Sequence, residues 1–462
     1  MFKIFYFFTA LIVFLFKPEK YSIFSYDYNF FISLIYFSLI SVFLLEQRLR
    51  DKNWLRFDLI FLIGYSIVHF QIPFLASIGI EPSRPYFVWL NKDVVNYATW
   101  MSTVAISLWI LGYSLLSGKK AIYSNQSESF IINYRLLDNL LLVFFVGFLI
   151  TVGRSFLTGA YNVESWGVGA TYFLLLLEIL IYLRILYFFR DLPKESSYNY
   201  IFKKILLNRI FFIILIAYTL LFFLSGSRGE LIRILLIIAF AYSIYIKSIS
   251  FKFILVSILI GSFILTLMGL GRSRDTVDFG NQSLLERGYT NYKDTDKQSN
   301  FTEELATSIR IQYRAIDIVP YSYPYMYGYT YIGTLSGVIP FASSFIINFL
   351  NIPDCYKGSA SFFTCVGQGN NITYGEGSEI LADLYINFGL YGTFFIMFWF
   401  GCLVSKINNN IKKKKFTYIL IYSILLITAL AMSRGTVLYA YKDIVYILFF
   451  HFLFSGKFKL AK

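Results

Sequence analysis

Only two histidines and three cysteines occur in 462 residues, and no pair of cysteines has metal-binding spacing. A His-ligated metal or a Cys-based zinc site therefore has little material to draw on. Charge is scarce too: 15% of residues are charged, against 57% hydrophobic and 21% aromatic. A soluble globular domain carries about a quarter charged residues, so that class is excluded. No Gly-rich phosphate-cradling loop is present, and ATP chemistry has no visible site. Asp294-Thr-Asp296 is formally an Asp-x-Asp, but Lys293 and Lys297 flank it in a polar stretch that reads as solvated surface. Neither a metal nor any other cofactor is expected. The apolar run after Met1-Phe-Lys3 lacks a small-x-small cleavage site before Lys17-Pro18, so it reads as a retained first helix. No lipid-anchor motif occurs, and no internal repeat marks the paired halves of a transporter.

What is present is a series of apolar runs of about 17 to 25 residues, the length of membrane-spanning helices. Twelve are expected: Phe2–Phe16, Phe30–Leu45, Phe57–Ile80, Tyr97–Ser117, Leu137–Gly153, Thr171–Phe189, Ile210–Leu224, Leu231–Ile246, Phe253–Leu270, Ile380–Val404, Phe416–Met432 and Val437–Phe454. The net charge of +14 sits mostly in short turns between these runs, where it reports topology rather than nucleic-acid binding. With both termini cytoplasmic, the basic turns after the second, fourth, sixth, eighth and tenth helices and the tail Lys457–Lys462 fall on one side. The composition, rich in Ile, Phe, Tyr and Lys and poor in Ala, has a bacterial character. The fold class expected is an all-α polytopic membrane protein with one large external loop.

That loop, Arg272 to Ser378, runs for roughly 105 residues, and loops of such length are usually functional. It divides the chain into helices 1–9 (residues 1–271), the loop (272–378) and helices 10–12 (379–462), forming one integrated domain. Inside the loop, Asn300-Phe-Thr-Glu303 has capping-box character and precedes a helix-like stretch to Val319. Tyr331–Leu350 is apolar but broken by Gly333, Gly337 and Pro340, which fits a re-entrant or interfacial helix pair. Cys355 and Cys365 either form a disulfide or stay as two free thiols. The alternating tyrosines from Tyr321 to Tyr331 suit sugar stacking or, more readily, interfacial anchoring.

Arginine is the most informative residue, because it recurs on the face where the positive-inside rule disfavours it. Arg154, Arg228, Arg272, Arg274, Arg310, Arg314 and Arg434 all map outside. A planar set of donors with a permanent charge suits phosphate or pyrophosphate; any single one could instead be a solvated or snorkelling side chain. Two of them share a context, Ser227-Arg-Gly229 and Ser433-Arg-Gly435, at hairpin tips where a following helix would present free N–H groups. Glu376, Glu379, Asp383 and Asn387 are spaced to share one helical stripe. Glu379 and Asp383 are candidate bases, and Arg274 is the arginine assigned beside them. Asp383 could alternatively form a structural ion pair with Arg434, while Glu230 and Asp317 read as cap or surface residues. His69, deep in the third helix, and His451, near the cytoplasmic end of the last, are not expected to reach the external face.

Four stretches together resemble the O-antigen polymerases, the oligosaccharide repeat-unit polymerases of bacterial inner membranes. They are Gly226-Ser-Arg-Gly-Glu230, Gly271-Arg-Ser-Arg274, Gly328-Tyr-Thr-Tyr331 through Ile339-Pro340, and Gly377-Ser-Glu-Ile-Leu-Ala-Asp-Leu-Tyr-Ile-Asn-Phe-Gly389-Leu-Tyr-Gly392. The N-terminal part matches in hydropathy alone. The resemblance implies an architecture like that of C-type glycosyltransferases, a large periplasmic loop and polymerisation on undecaprenyl pyrophosphate. Arg228, Arg272, Arg274 and Glu379 carry over by motif position, with Arg310 and Arg314 following. Expected partners are undecaprenyl-pyrophosphate-linked oligosaccharides and the bilayer, with a chain-length regulator and a flippase as further candidates. The expected activity is a metal-independent glycosyl transfer at the periplasmic face; a polysaccharide ligase and a flippase for the lipid-linked unit are the alternatives.

Overall fold

The computed structural model describes residues 2–117, 130–153, 156, 166–167, 169–194, 196–271, 284–294, 302–339, 342–369, 371–413 and 415–455. Among these residues the regular elements are helices without strands. The first eleven are α1 (Phe2–Leu15), α2 (Tyr26–Arg50), α3 (Phe57–Ser77), α4 (Pro85–Val88), α5 (Val95–Leu116), α6 (Tyr134–Val152), α7 (Ala170–Arg190), α8 (Tyr198–Leu207), α9 (Arg209–Leu224), α10 (Arg228–Tyr245) and α11 (Phe251–Gly271). Next come α12 (Leu284–Asp294), α13 (Glu303–Ala306), α14 (Ile309–Ile318), α15 (Tyr331–Ser336), α16 (Ala342–Phe349) and α17 (Ser359–Gln368). The last are α18 (Ile380–Lys412), α19 (Phe416–Met432) and α20 (Tyr441–Phe454).

Side-chain caps start several of them, as the unpaired N–H groups of a first turn require. Ser25 accepts from Tyr28 at α2, Asn133 from Leu136 at α6, and Glu379 from both Leu381 and Ala382 at α18. Seven of the helices are long and apolar enough to cross a membrane, or eight if the sharply bent pair α8 and α9 forms one span. The five other expected spans correspond to α1, α9, α10, α19 and α20. Four of these are short, at 14, 16, 17 and 14 residues for α1, α9, α19 and α20. The fifth, α10, places Arg228, Glu230 and Arg233 in its first turns. The chain is a multi-pass membrane protein whose described residues form helices without strands.

Hydrogen bonds sort the helix ends into two groups. At the basic end, Lys412 lies 3.8 Å from Asp51, Asn408 donates to the Tyr113 hydroxyl (2.8 Å), and Phe57 N donates to the Tyr422 hydroxyl (3.0 Å). At the other end, Lys20 donates to the Val319 carbonyl (3.1 Å), Asn91 to Asp317 (2.9 Å), and Ser83 N to Glu303 (2.6 Å). Glu303, Asp317 and Val319 of the long segment therefore meet the helix ends opposite Asp51 and Lys412. One of the basic turns, expected between Arg190 and Arg209, contains the helix α8.

The long segment is more embedded than a loop. In place of one helix ending at Val319, the chain forms α13 and α14 with a turn at Thr307–Ser308 between them. Along α14, Ile309, Ile311, Tyr313 and Ile316 are buried, and Gln312 pairs with Ser102 of α5 at 3.1 Å. The expected apolar pair appears as α15 and α16, and α12 returns along α11 through Asn291, which donates to the Leu270 carbonyl (2.7 Å).

A close seam joins α5 to α18. A Cβ added at Gly112 would stand 2.2 Å from the Phe398 carbonyl oxygen, and one at Gly401 would stand 2.1 Å from that of Trp109. Small residues at such contacts let membrane helices approach to backbone distance, where dispersion and polar contacts replace the missing hydrophobic drive. Gly401→Val or Gly112→Val should separate these helices and lower the melting temperature of the purified protein by several degrees. Gly261→Val on α11, where a Cβ meets nothing within 4 Å, should leave it unchanged. Equal melting temperatures for all three variants would contradict this packing.

Candidate active site

The four polar residues spaced as one stripe do not share a helix face. Because α18 begins at Ile380, Glu376 and Glu379 precede it and only Asp383 and Asn387 ride on it. All four are buried, at 7%, 0%, 0% and 0% exposure, and each is committed to a different neighbour. Burying charge without partners costs several kcal/mol, so those partners define the site.

Glu379 is the helix cap. Its Oε1 accepts from Leu381 N and its Oε2 from Ala382 N, both at 2.8 Å. Its Oε1 also lies 2.6 Å from Nε2 of His69 on α3. Nδ1 of that ring is 3.1 Å from the Tyr65 carbonyl, which can only accept. Nδ1 therefore carries a hydrogen, and the contact between Nε2 and Oε1 shares one proton between histidine and carboxylate. The sequence reading kept His69 away from this end of the molecule. It reaches Glu379 because α3 brings its ring against the start of α18, a proximity that periodicity does not reveal.

Asp383 accepts from the Tyr331 hydroxyl through Oδ2 at 2.6 Å. Burial and the adjacent carboxylate push the Tyr331 phenol well up, so it stays a donor. The other oxygen, Oδ1, is buried without a regular hydrogen bond, and the Ser359 hydroxyl, paired with that of Ser378 at 2.9 Å, lies near the carboxyl group. Asn387 is structural: its Oδ1 accepts from Gly328 N (3.1 Å) and Thr330 Oγ1 (3.1 Å), and its Nδ2 donates to the Asp383 carbonyl (2.8 Å). Two residues further on, Gly389 breaks α18 with φ 66°. The break releases carbonyls that an unbroken helix would use, and the 326–327 backbone takes them. Met326 N donates to Ile386 O and Tyr327 N to Asn387 O, each at 2.9 Å.

The arginines fall into two described groups. Arg310 and Arg314, one turn apart on α14, flank Glu376. Arg310 contacts Oε2 directly, and Nη1 of Arg314 lies 3.5 Å from Oε1. Arg310 also stacks over Phe87 at 4.0 Å. Burial lowers its guanidinium from the ordinary value, while Glu376 pulls it back up. The second group forms where Arg228 and Arg434, from the two Ser-Arg-Gly tips, converge on Glu304 of the α13 turn. Arg228 Nη2 lies 2.8 Å from Oε2, and Arg434 Nη1 lies 3.9 Å from Oε1. Arg228 also rests against Gly269, near the end of α11, just before Arg272. Arg228 opens α10, as a helix-terminus anion site requires, whereas Arg434 does not: the helix after it starts at Tyr441 rather than Val437. Arg154, Arg272 and Arg274 lie outside the described residues. The alternative partnership of Asp383 with Arg434 is not formed.

Cys355 and Cys365 are joined in a disulfide, with Cα atoms 5.7 Å apart. Below the Arg228 tip lies a buried charge cluster that the sequence reading missed. Glu178 of α7 pairs with Arg233 of α10 at 3.1 Å and accepts from the Tyr218 hydroxyl, with Glu230 3.4 Å from Arg233. Glu304 was also overlooked, although its neighbour Glu303 had been read as part of a capping box. Ionisable residues in apolar helices were the available signal for Glu178 and His69.

Three features are available for chemistry: one buried carboxylate with an unsatisfied oxygen, a histidine–carboxylate pair beside it, and guanidinium groups held by exchangeable carboxylates. The family model described as O-antigen polysaccharide polymerase Wzy matches residues 1–458. The chain belongs to that family, whose members are polymerising, glycosyltransferase-like membrane enzymes acting on lipid-linked repeat units. No individual curated protein and no solved structure matches it.

The cap geometry predicts graded stability. Glu379→Ala removes the cap of α18 and takes away the partner of His69 Nε2, a loss of about 2 kcal/mol or more. Glu379→Gln keeps an acceptor for the cap and should lose distinctly less. Melting temperatures in detergent test this, and equal losses for the two variants would rule out the double role of Glu379.

Proposed function

We propose that this member of the O-antigen polysaccharide polymerase family joins undecaprenyl-pyrophosphate-linked repeat units at the periplasmic face of the inner membrane. In this reading the chain spans the bilayer twelve times with both termini cytoplasmic. The expected spans then run from α1 to α20, and the long segment covers the periplasmic end. The observation that carries the proposal is the convergence of Arg228 and Arg434, from two separate hairpin tips, on the exposed carboxylate of Glu304. An ion pair at such exposure contributes only about 0–1 kcal/mol. A pyrophosphate, with more charge and a geometry that matches two guanidinium groups, would displace the carboxylate readily.

In the reaction, a hydroxyl oxygen of one lipid-linked repeat unit attacks the anomeric carbon of the chain held on a second lipid. The bond from that carbon to the pyrophosphate oxygen breaks, and its electron pair stays on the pyrophosphate. Arg228 and Arg434 neutralise the charge that develops, with Arg154, Arg272 and Arg274 as further candidates by their place in the sequence. Positioned donors of this kind are worth about 3 kcal/mol each. The hydroxyl proton passes to Asp383, the carboxylate with an oxygen still able to take it. Glu379 is assigned a positioning role, because its oxygens already hold the helix cap and His69. Arg310 and Arg314 fix the Glu376 approach to α18. The scheme requires no metal.

Purified protein given lipid-linked repeats in detergent, where translocation has no meaning, should make long products. Arg228→Ala and Arg434→Ala should each slow extension about a hundredfold, and Asp383→Asn by at least as much. Wild-type product lengths from the Arg228→Ala, Arg434→Ala double variant would overturn the proposal.

A further inference from the structure

Between residues 324 and 356 lies an open cavity of about 410 Å³, lined by Pro324, Tyr325, Met326, Tyr329, Pro353 and Tyr356. This volume falls within the range of about 300–1,000 Å³ typical of ligand sites. Its walls are aromatic rings and proline faces, with phenolic hydroxyls at their edges. The rings of Tyr329 and Tyr356 stand 6.3 Å apart at 67°. Tyr356 adjoins Cys355, so the disulfide ties this wall to α17.

Two features set the cavity apart from an ordinary interfacial tyrosine belt. The first is backbone strain at its rim. Tyr327 adopts φ 47°, the left-handed region that bulky residues avoid. The turn is held there by its N–H bond to Asn387 O and by the Asn387 side chain on Gly328. Tyr327 is 81% exposed, and its ring meets the fold through an edge-on contact with Tyr325 at 6.5 Å, so it returns little packing for the strain. Strain of this kind concentrates at binding sites. The second feature is position. The cavity segment is hydrogen-bonded to the broken turn of α18 one helical turn beyond Asp383. Tyr331, two residues from Tyr329, donates to that carboxylate.

We infer that this cavity is a saccharide subsite, in which a pyranose ring of the repeat unit stacks on Tyr329 and Tyr356 and is flanked by the exposed ring of Tyr327. The axial C–H face of a sugar packs on an aromatic plane as other apolar faces do. Its hydroxyls find the phenolic oxygens, and the next sugar is directed toward Asp383. The inference rests on the polymerase reading for its substrate class and adds where the sugar, rather than the pyrophosphate, is held.

The test uses purified full-length protein and the free repeat-unit oligosaccharide without lipid or pyrophosphate, with binding followed by saturation-transfer NMR. Wild type should bind, and Tyr329→Ala and Tyr356→Ala should weaken binding roughly tenfold. Tyr327→Gly should also weaken it, while its melting temperature holds or rises because glycine relieves the strain. Unchanged affinity in all three variants overturns the subsite. So does a Tyr327→Gly protein that binds sugar normally but loses its retention in membranes, which would make Tyr327 an anchor. The two readings separate cleanly. A wild type that polymerises lipid-linked repeats while these variants bind sugar unchanged sinks the subsite alone. A wild type that binds the oligosaccharide through these tyrosines yet extends no lipid-linked chain sinks the polymerase reading alone.

Discussion

The first turns of α18, from the Glu379 cap to the Gly389 break, form the constraint around which the polar end is built. An apolar helix that begins beneath a folded segment must find partners for its free N–H groups, and Glu379 supplies two acceptors from one carboxylate. The same carboxylate draws His69 from α3 into the bundle's polar end. Ten residues later, the break at Gly389 releases two carbonyls, and the Met326–Tyr327 backbone takes them. The long segment is thus hydrogen-bonded into the helix as a continuation of its missing ladder. Asp383 lies between these two fixed points, enclosed by Tyr331 and the Ser359 hydroxyl. Its surroundings are set by backbone geometry rather than by flexible surface contacts.

The charges around this centre divide by burial. Arg310 and Glu376 are buried together, and removing either would strand the other in a low-dielectric setting, as the cost of an unpaired buried ion dictates. This pair fastens α14 to the approach of α18. Arg228, Arg434 and Glu304 are half-buried or exposed, so water and salt weaken their mutual attraction. Strong pairing therefore occurs where the fold needs rigidity and weak pairing where an anionic ligand would have to compete. The Glu178–Arg233 pair lies beneath the weak group and belongs with the rigid class.

Much of this architecture was legible in the sequence. The apolar runs placed helices close to where they lie. Gly377 through Gly392 marked the stretch that carries Glu379, Asp383 and Asn387. The single stripe was misread, because spacing alone cannot show that the helix starts at Ile380 and leaves Glu376 and Glu379 as its approach and cap. The partner of His69 was invisible because α3 and α18 are separated by more than half the chain. Glu304 looked like one more surface acid, since only the fold brings two hairpin tips to it. The strain at Tyr327 has no sequence signature beyond the neighbouring glycine.

The central claim is that substrate pyrophosphate takes the place of the Glu304 carboxylate while the reacting sugar lies against Asp383. A structure of the protein with a non-hydrolysable lipid-linked repeat unit tests it most directly. The account predicts pyrophosphate contacted by Arg228 and Arg434, Glu304 turned away, and the acceptor hydroxyl within hydrogen-bond reach of Asp383 Oδ1. Pyrophosphate bound elsewhere, with the contacts between Glu304 and both arginines intact, would contradict it.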